Sequence, residues 1–115
     1  TAEIYRQTEG LSWIEDSLCV GRPADGDVEV VLFVKLIAGE SLTEQRILEI
    51  KQRIKSKTTP RHVPTNVWAV TDIPYTRSGK KMELAISRIL AQRPLKNLEA
   101  VANPDCLKQY ETYQS

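Results

Sequence analysis

Between Ile73 and Glu83 the chain reads Ile-Pro-Tyr-Thr-Arg-Ser-Gly-Lys-Lys-Met-Glu, which sets Lys80 behind a glycine hinge in a turn opened by Pro74. A glycine followed by a lysine makes phosphate binding the first chemistry to test. In its P-loop form, that chemistry needs a second glycine five residues before Gly79 and a Ser or Thr after the lysine. Those positions hold Pro74 and Lys81. Without the first glycine the backbone N–H groups cannot wrap a phosphate, and without the hydroxyl the loop offers nothing to a magnesium ion. The P-loop is excluded. Taken by itself, Lys80 is then a solvated lysine after a turn, because lysines are mostly exposed.

The other reactive side chains are sparse. His62 is the single histidine, with no Ser, Cys or metal-ligand partner beside it, so it reads as a hydrogen-bonding loop residue rather than a general base. Cys19 and Cys106 lack metal-ligand spacing and are too few for a disulfide framework; they read as free thiols in a reducing cytosol, Cys19 as a small buried hydrophobe, and no metal site is expected. Trp13, Trp68, Phe33 and Tyr5 read as core or interface fillers rather than platforms on which bases stack.

Charge is more informative. The net charge of +1 conceals a segregation into −6 over residues 1–44, +9 over 45–96 and −2 over the remainder. A +9 segment attracts phosphorylated ligands, nucleotide and nucleic acid alike. With 115 residues, 41% of them hydrophobic and 27% charged, the chain suits one domain with one core and is too short for a typical two-domain enzyme. The longest apolar run, Val30 to Val34, is far below membrane-spanning length, and Glu3, Arg6 and Glu9 lie where a signal peptide would be apolar.

The elements that must position these groups follow from periodicity. Thr1 is expected to cap a short helix carrying Ala2, Ile4 and Tyr5, ended by Gly10 in left-handed geometry. From Ser12 to Gly21 the parity of Ile14, Leu18 and Val20 predicts a strand, with Asp16 the polar exception. Asp25-Gly26 predicts a turn, and Val28 to Ile37, apolar at both parities, predicts a strand covered on both faces and paired antiparallel with the first. Ser41-Leu42-Thr43-Glu44 has capping-box spacing for a helix running to about Lys57, with Ile47, Leu48, Ile50 and Ile54 as its buried stripe and Arg46, Lys51, Arg53 and Lys55 on its polar arc. Pro60 and Pro64 bracket a loop, and Asn66 to Thr71 predicts a third strand. Met82 to Ala91 predicts a helix ended by Arg93-Pro94, with Leu84, Ile86, Ile89 and Leu90 as its apolar positions. Asn103-Pro104 opens a last turn that docks Leu107 and Tyr110. The expected fold class is α+β: an N-terminal β-hairpin and a small mixed sheet packed with about three helices.

The stretch from Pro74 to Lys80 resembles the carboxy-terminal signature of the adenylate-forming acyl-CoA synthetases, Pro-x-x-x-Ser-Gly-Lys followed by a helix. Thr-Pro-Arg-His-Val-Pro (Thr59 to Pro64) and Thr1-Ala-Glu-Ile-Tyr extend the resemblance over nearly the whole chain. The run Lys80 to Ala85 and the tail Asn103-Pro104-Asp105-Cys106-Leu107 resemble the branch of that family that activates acetoacetate. Glu83 stands where many relatives carry arginine, which favours the same branch.

The resemblance implies that residues 1–115 are the mobile carboxy-terminal lid of a longer ligase, whose large N-terminal adenylation domain and hinge precede Thr1. It implies that Lys80 is the catalytic cation for joining a carboxylic acid to ATP, with Thr76, Ser78 and Gly79 holding its loop, and that Arg77 and Lys81 are surface charge or add to the phosphate field. Rotation of the lid then removes Lys80 before the thiol of coenzyme A attacks. Lys55, Lys57 and Arg61 are candidates for the phosphates of coenzyme A, against the plainer reading of a solvated helix end with cations favoured by the helix dipole. ATP and coenzyme A are implied as substrates of the full enzyme, magnesium as a ligand of the large domain, and acetoacetate as the acid. A lysine acetyltransferase and deacetylase acting on Lys80 are implied partners, the setting is cytoplasmic, and no membrane or nucleic acid is expected. The chain alone is expected to be inactive. The rival is a small nucleic-acid-binding module built on the +9 segment, which the lack of an RNP-like aromatic motif disfavours.

Overall fold

The computed structural model describes residues 1–114. Helix α1 (Ala2–Glu9) leads into strands β1 (Ile14–Ala24) and β2 (Asp27–Leu36), followed by helix α2 (Glu44–Lys57), strand β3 (Asn66–Ala69) and helix α3 (Glu83–Leu90). Turns of 3₁₀ helix occur at Pro60–His62 and Leu98–Ala100, with a longer 3₁₀ stretch at Pro104–Tyr113. The expected hairpin and mixed sheet are one object: a three-stranded sheet in the order β1-β2-β3, with β2 central, antiparallel to β1 and parallel to β3.

The hairpin closes through Asp25 and Gly26, whose φ values of 47° and 79° are both positive, as a two-residue type I′ turn requires. Strand β2 has both edges paired within the sheet and both faces covered by other elements. Val31 and Phe33 meet Leu18, Val20, Ile86, Ile89, Leu90 and Tyr110 on one face. On the other, Leu32 and Val34 meet Cys19, Ile4, Trp13, Ile50 and Ile54. Helices α1 and α2 therefore form one layer, and α3 with the 3₁₀ tail forms the opposite one.

Several local expectations are corrected. Ile14 does not share a face with Leu18 and Val20, because a bulge between Ile14 and Asp16 inserts one residue and reverses the side-chain parity before it. Ser41 is not the cap of α2. Thr43 is, its Oγ1 accepting from Arg46 N at 3.2 Å, so the helix starts two residues beyond the capping-box reading. Leu48 and Leu84 are 57% and 70% exposed and belong to neither buried stripe. The third strand stops at Ala69, short of Thr71.

Thr1 flanks α1 without a side-chain cap bond, and Gly10 has a right-handed φ of −77°. A Cβ there would clash only with the Arg53 guanidinium, the far end of a flexible side chain that can shift aside, so neither backbone geometry nor packing demands a glycine at this position. Helix α3 ends before Arg93-Pro94 is reached. Gln92, at φ 59°, donates to Ile89 O, and Arg93 N donates to Arg88 O at 2.9 Å, the paired closing bonds of a Schellman turn.

Candidate functional site

Lys80 sits at the start of the returning arm of a small hairpin. Tyr75 and Lys81 pair antiparallel across its base, Met82 N donates to Pro74 O at 3.1 Å, and Thr76 N donates to Lys80 O at 2.8 Å. Gly79 turns the chain with φ +89°, a conformation strained for any residue with a Cβ, and its N–H donates to Thr76 O at 2.9 Å. Thr76 Oγ1 accepts from Lys80 N at 3.0 Å and lies 2.9 Å from Ser78 Oγ. Thr76, Ser78 and Gly79 thus come together around the loop, with Thr76 at its centre.

The outgoing arm is also bonded on its other side. Thr76 pairs with Val101, Arg77 N donates to Ala100 O and Ala102 N to Tyr75 O, each at 2.9 Å, and Tyr75 N donates to Asn103 Oδ1 at 3.0 Å. Arg77 is a tie in this stitching, since its Nε donates to Glu99 O at 2.8 Å.

Lys80 is exposed, and its ammonium has no hydrogen-bond or ion-pair partner among the described residues. Lys81 faces the other way. Its Nζ donates to Ser17 O at 2.6 Å, lies 3.2 Å from Asp16 Oδ1 and stands 3.7 Å from the centroid of the Tyr5 ring. The reading of Lys81 as surface charge is therefore corrected: its ammonium is spent inside the chain. Asp16 also accepts from Tyr75 Oη at 2.6 Å and from Ser17 N at 2.8 Å.

Tyr5 completes the group. Its hydroxyl donates to Glu83 Oε2 and accepts from Cys19 N at 2.9 Å. Burial, together with a carboxylate neighbour in each case, holds both phenols, Tyr5 and Tyr75, above the usual tyrosine range, so each remains an O–H donor. Sequence reasoning missed this cluster. The available signal was Asp16 itself, a lone carboxylate at an apolar parity, which demands polar partners once the strand is covered.

The remaining candidates lie apart. Lys55 and Lys57 end α2 and Arg61 occupies the following 3₁₀ turn, all exposed. They belong to the layer across the sheet from α3, toward the end of β2 where Thr65 N meets Val30 O, whereas the lysine loop joins β1 opposite Val34. They are not assembled with Lys80. His62 Nδ1 lies 2.8 Å from Thr59 Oγ1, in keeping with a loop hydrogen-bonding role. Cys19 and Cys106 are free and buried, and burial pushes each thiol up to about 11, so neither is a thiolate nucleophile at neutral pH. Among the described residues no group of three or more His, Cys, Asp or Glu could hold a metal, and no helix is long and apolar enough to cross a membrane.

The aromatic residues are used internally. Phe33 packs against Tyr110 and Trp68, Trp68 stacks on Tyr113 at 4.5 Å, and Arg22 and Arg46 lie over Trp68 and Trp13. Sheets that read RNA present an open aromatic face, and both faces of this sheet are covered. The nucleic-acid reading is not favoured.

No family model matches the chain. The acetoacetyl-coenzyme A synthetase of Rhizobium meliloti (strain 1021) is 51% identical over 107 residues, which is 93% of this chain and 16% of that protein. The acetoacetyl-CoA synthetase of Caenorhabditis elegans is 38% identical over 116 residues, 99% of this chain and 17% of that protein. Among solved structures, the acetoacetyl-CoA synthetase from Streptomyces lividans superposes with a TM-score of 0.86 at 36% identity, covering 96% of this chain and 17% of its own. An acyl-CoA synthetase from Brucella canis shares the fold, with a TM-score of 0.66 at 21% identity over 72% of this chain. The chain spans about a sixth of the length of these relatives.

Proposed function

The chain belongs with a segment of the adenylate-forming acyl-CoA synthetases, in their acetoacetyl-CoA synthetase branch, and from that premise we propose that it is the carboxy-terminal lid of an acid–thiol ligase to which it contributes Lys80. The reaction is the conversion of acetoacetate, ATP and coenzyme A to acetoacetyl-CoA, AMP and diphosphate. In the first half, a carboxylate oxygen bonds to the α-phosphorus of ATP as the bond from that phosphorus to the diphosphate oxygen breaks. Two anions must meet, and charge builds on the phosphoryl oxygens, so a cation brought to that point lowers the barrier. In the second half the thiol attacks the acyl carbon and AMP leaves. The lid turns away between the two, withdrawing Lys80.

One observation carries this reading. The Lys80 ammonium is unpartnered among the described residues, while the backbone that bears it is bonded to Thr76 on the opposing arm. A cation intended for a substrate needs both properties, since an internal ion pair would neutralise it and a loose loop would misplace it. Lys55, Lys57 and Arg61 are assigned to the phosphates of coenzyme A in the rotated arrangement. Acetoacetate, ATP and magnesium are assigned to a large adenylation domain of the same polypeptide, a reading supported by the relatives being about six times the length of this chain. The exposed Lys80 amine is also a substrate for reversible acetylation, which would remove its charge and stop adenylation. Two free thiols favour a reducing, cytoplasmic setting.

The test is Lys80→Ala in the full-length enzyme, with the two half-reactions timed separately. Diphosphate release should fall about a thousandfold. Thioester formation from preformed acyl-adenylate should be preserved. Unaltered diphosphate release would overturn the assignment.

A further inference from the structure

Two consecutive lysines follow Gly79, and the structure separates them completely. The returning arm of the hairpin is extended, as the Tyr75–Lys81 bridge shows, and consecutive side chains on an extended segment point to opposite sides. Fixing the direction of one therefore fixes the other. The Lys81 ammonium is held by three groups: Ser17 O at 2.6 Å, Asp16 Oδ1 at 3.2 Å and the Tyr5 ring at 3.7 Å from its centroid. Its side chain is 20% exposed and that of Asp16 24%, so the pair is shielded from solvent far more than an ordinary surface ion pair.

The socket is built from elements remote in sequence. Asp16 and Ser17 lie on β1, the edge strand of the sheet, and Tyr5 comes from α1. Tyr75, on the opposite arm of the same hairpin, donates to the other oxygen of Asp16 at 2.6 Å. Both arms of the lysine loop thus end on one carboxylate. Glu83, two residues after Lys81 and the first residue of α3, accepts from the hydroxyl of the same Tyr5 whose ring contacts Lys81.

We propose that Lys81, seated on Asp16, Ser17 and Tyr5, is a positioning residue for adenylation, holding the loop on the edge of β1 so that the Lys80 ammonium is directed outward at a fixed angle. This rests on the assignment of Lys80 above and deepens it. Lys81 touches no substrate and acts only through its neighbour. Loss of the pin leaves the returning arm held only by its backbone bonds to Pro74 and Thr76, which widens the volume sampled by the Lys80 ammonium, of which only part is productive. Misplacement by about 1 Å costs on the order of a hundredfold in rate.

The experiment uses the full-length enzyme with Lys80→Ala, Lys81→Met, Lys81→Arg and Asp16→Asn, measuring kcat and KM for diphosphate release and, separately, thioester formation from preformed acyl-adenylate. Lys81→Met should lower kcat of diphosphate release about a hundredfold with KM for ATP and acid held, and leave the thioester half intact. Lys81→Arg, which keeps the cation and can stack on Tyr5, should recover most of the loss. Asp16→Asn, which keeps the shape of the socket, should reproduce the defect in weaker form and serves where Lys81→Met fails to fold. If Lys80→Ala abolishes diphosphate release while Lys81→Met and Asp16→Asn are normal, the positioning role is overturned and the catalytic assignment stands. If both half-reactions fall together in Lys81→Met and Asp16→Asn, Lys81 is a fold element only and the proposal is overturned. Normal diphosphate release in Lys80→Ala overturns both.

Discussion

An ammonium group is stable when fully hydrated or when enough oxygen atoms replace its water. Lys80 takes the first state and Lys81 the second, and nothing in their residue type distinguishes them. The same reasoning applies to Asp72, which anchors the segment leading into the loop. Asn103 Nδ2 donates to its Oδ2 at 2.9 Å and Lys35 Nζ to its Oδ1 at 3.2 Å, and these bonds, the Asn103 one first, hold its carboxyl below the usual range. A carboxyl depressed on folding lends stability at pH above its unfolded value and loses it as pH falls through the folded value. Asp72→Asn should therefore cost less than about 1 kcal/mol at pH 7, given solvent screening, and nothing once the pH is well below the carboxylate range. Denaturant titrations of the purified chain at both pH values check this; an equal loss at both would show that the charge is irrelevant.

Elements behave according to how their loose ends are satisfied. An edge strand exposes a row of unpaired backbone groups, and β1 has side chains on its row: Lys81 on Ser17 O, Tyr5 on Cys19 N at 2.9 Å and Ser87 on Gly21 O at 2.8 Å. These side chains come from α1, the lysine loop and α3, Tyr5 accepting and the other two donating, so the outer edge of one strand ties down the elements around the lysine loop. Helix α2 meets its needs differently, through Thr43. Thr43→Ala should destabilise the chain by about 1 kcal/mol and Ser41→Ala by almost nothing, which thermal melts of the two variants decide. The reverse order would restore the capping box. Most of the elements were legible in the sequence because hydrophobic period and turn residues act locally. Helix α2 and the hairpin follow from such signals, whereas the bulge at Ile14 and the Schellman turn at Gln92 do not. A bulge leaves no residue-type signature here, and Gln is an uncommon choice for a left-handed position.

As a whole the molecule is a sheet between two helical layers, and in the proposed reaction it contributes the Lys80 ammonium while the adenylation domain holds the substrates. The isolated chain, though folded, should show no ligase turnover. Incubation with acetoacetate, ATP, magnesium and coenzyme A, followed by assay for AMP and acetoacetyl-CoA, measures this; turnover by a clean preparation would place the whole reaction within these residues. The amino-acid order alone determined the glycine turn, the lysine behind it, the hairpin, the central strand covered on both faces and the kinship with acyl-CoA ligases, since each is written in neighbouring residues. Only the tertiary structure decided which of two adjacent lysines is free, because Lys81 finds its partner Ser17 across 64 positions of sequence and no local pattern encodes that meeting.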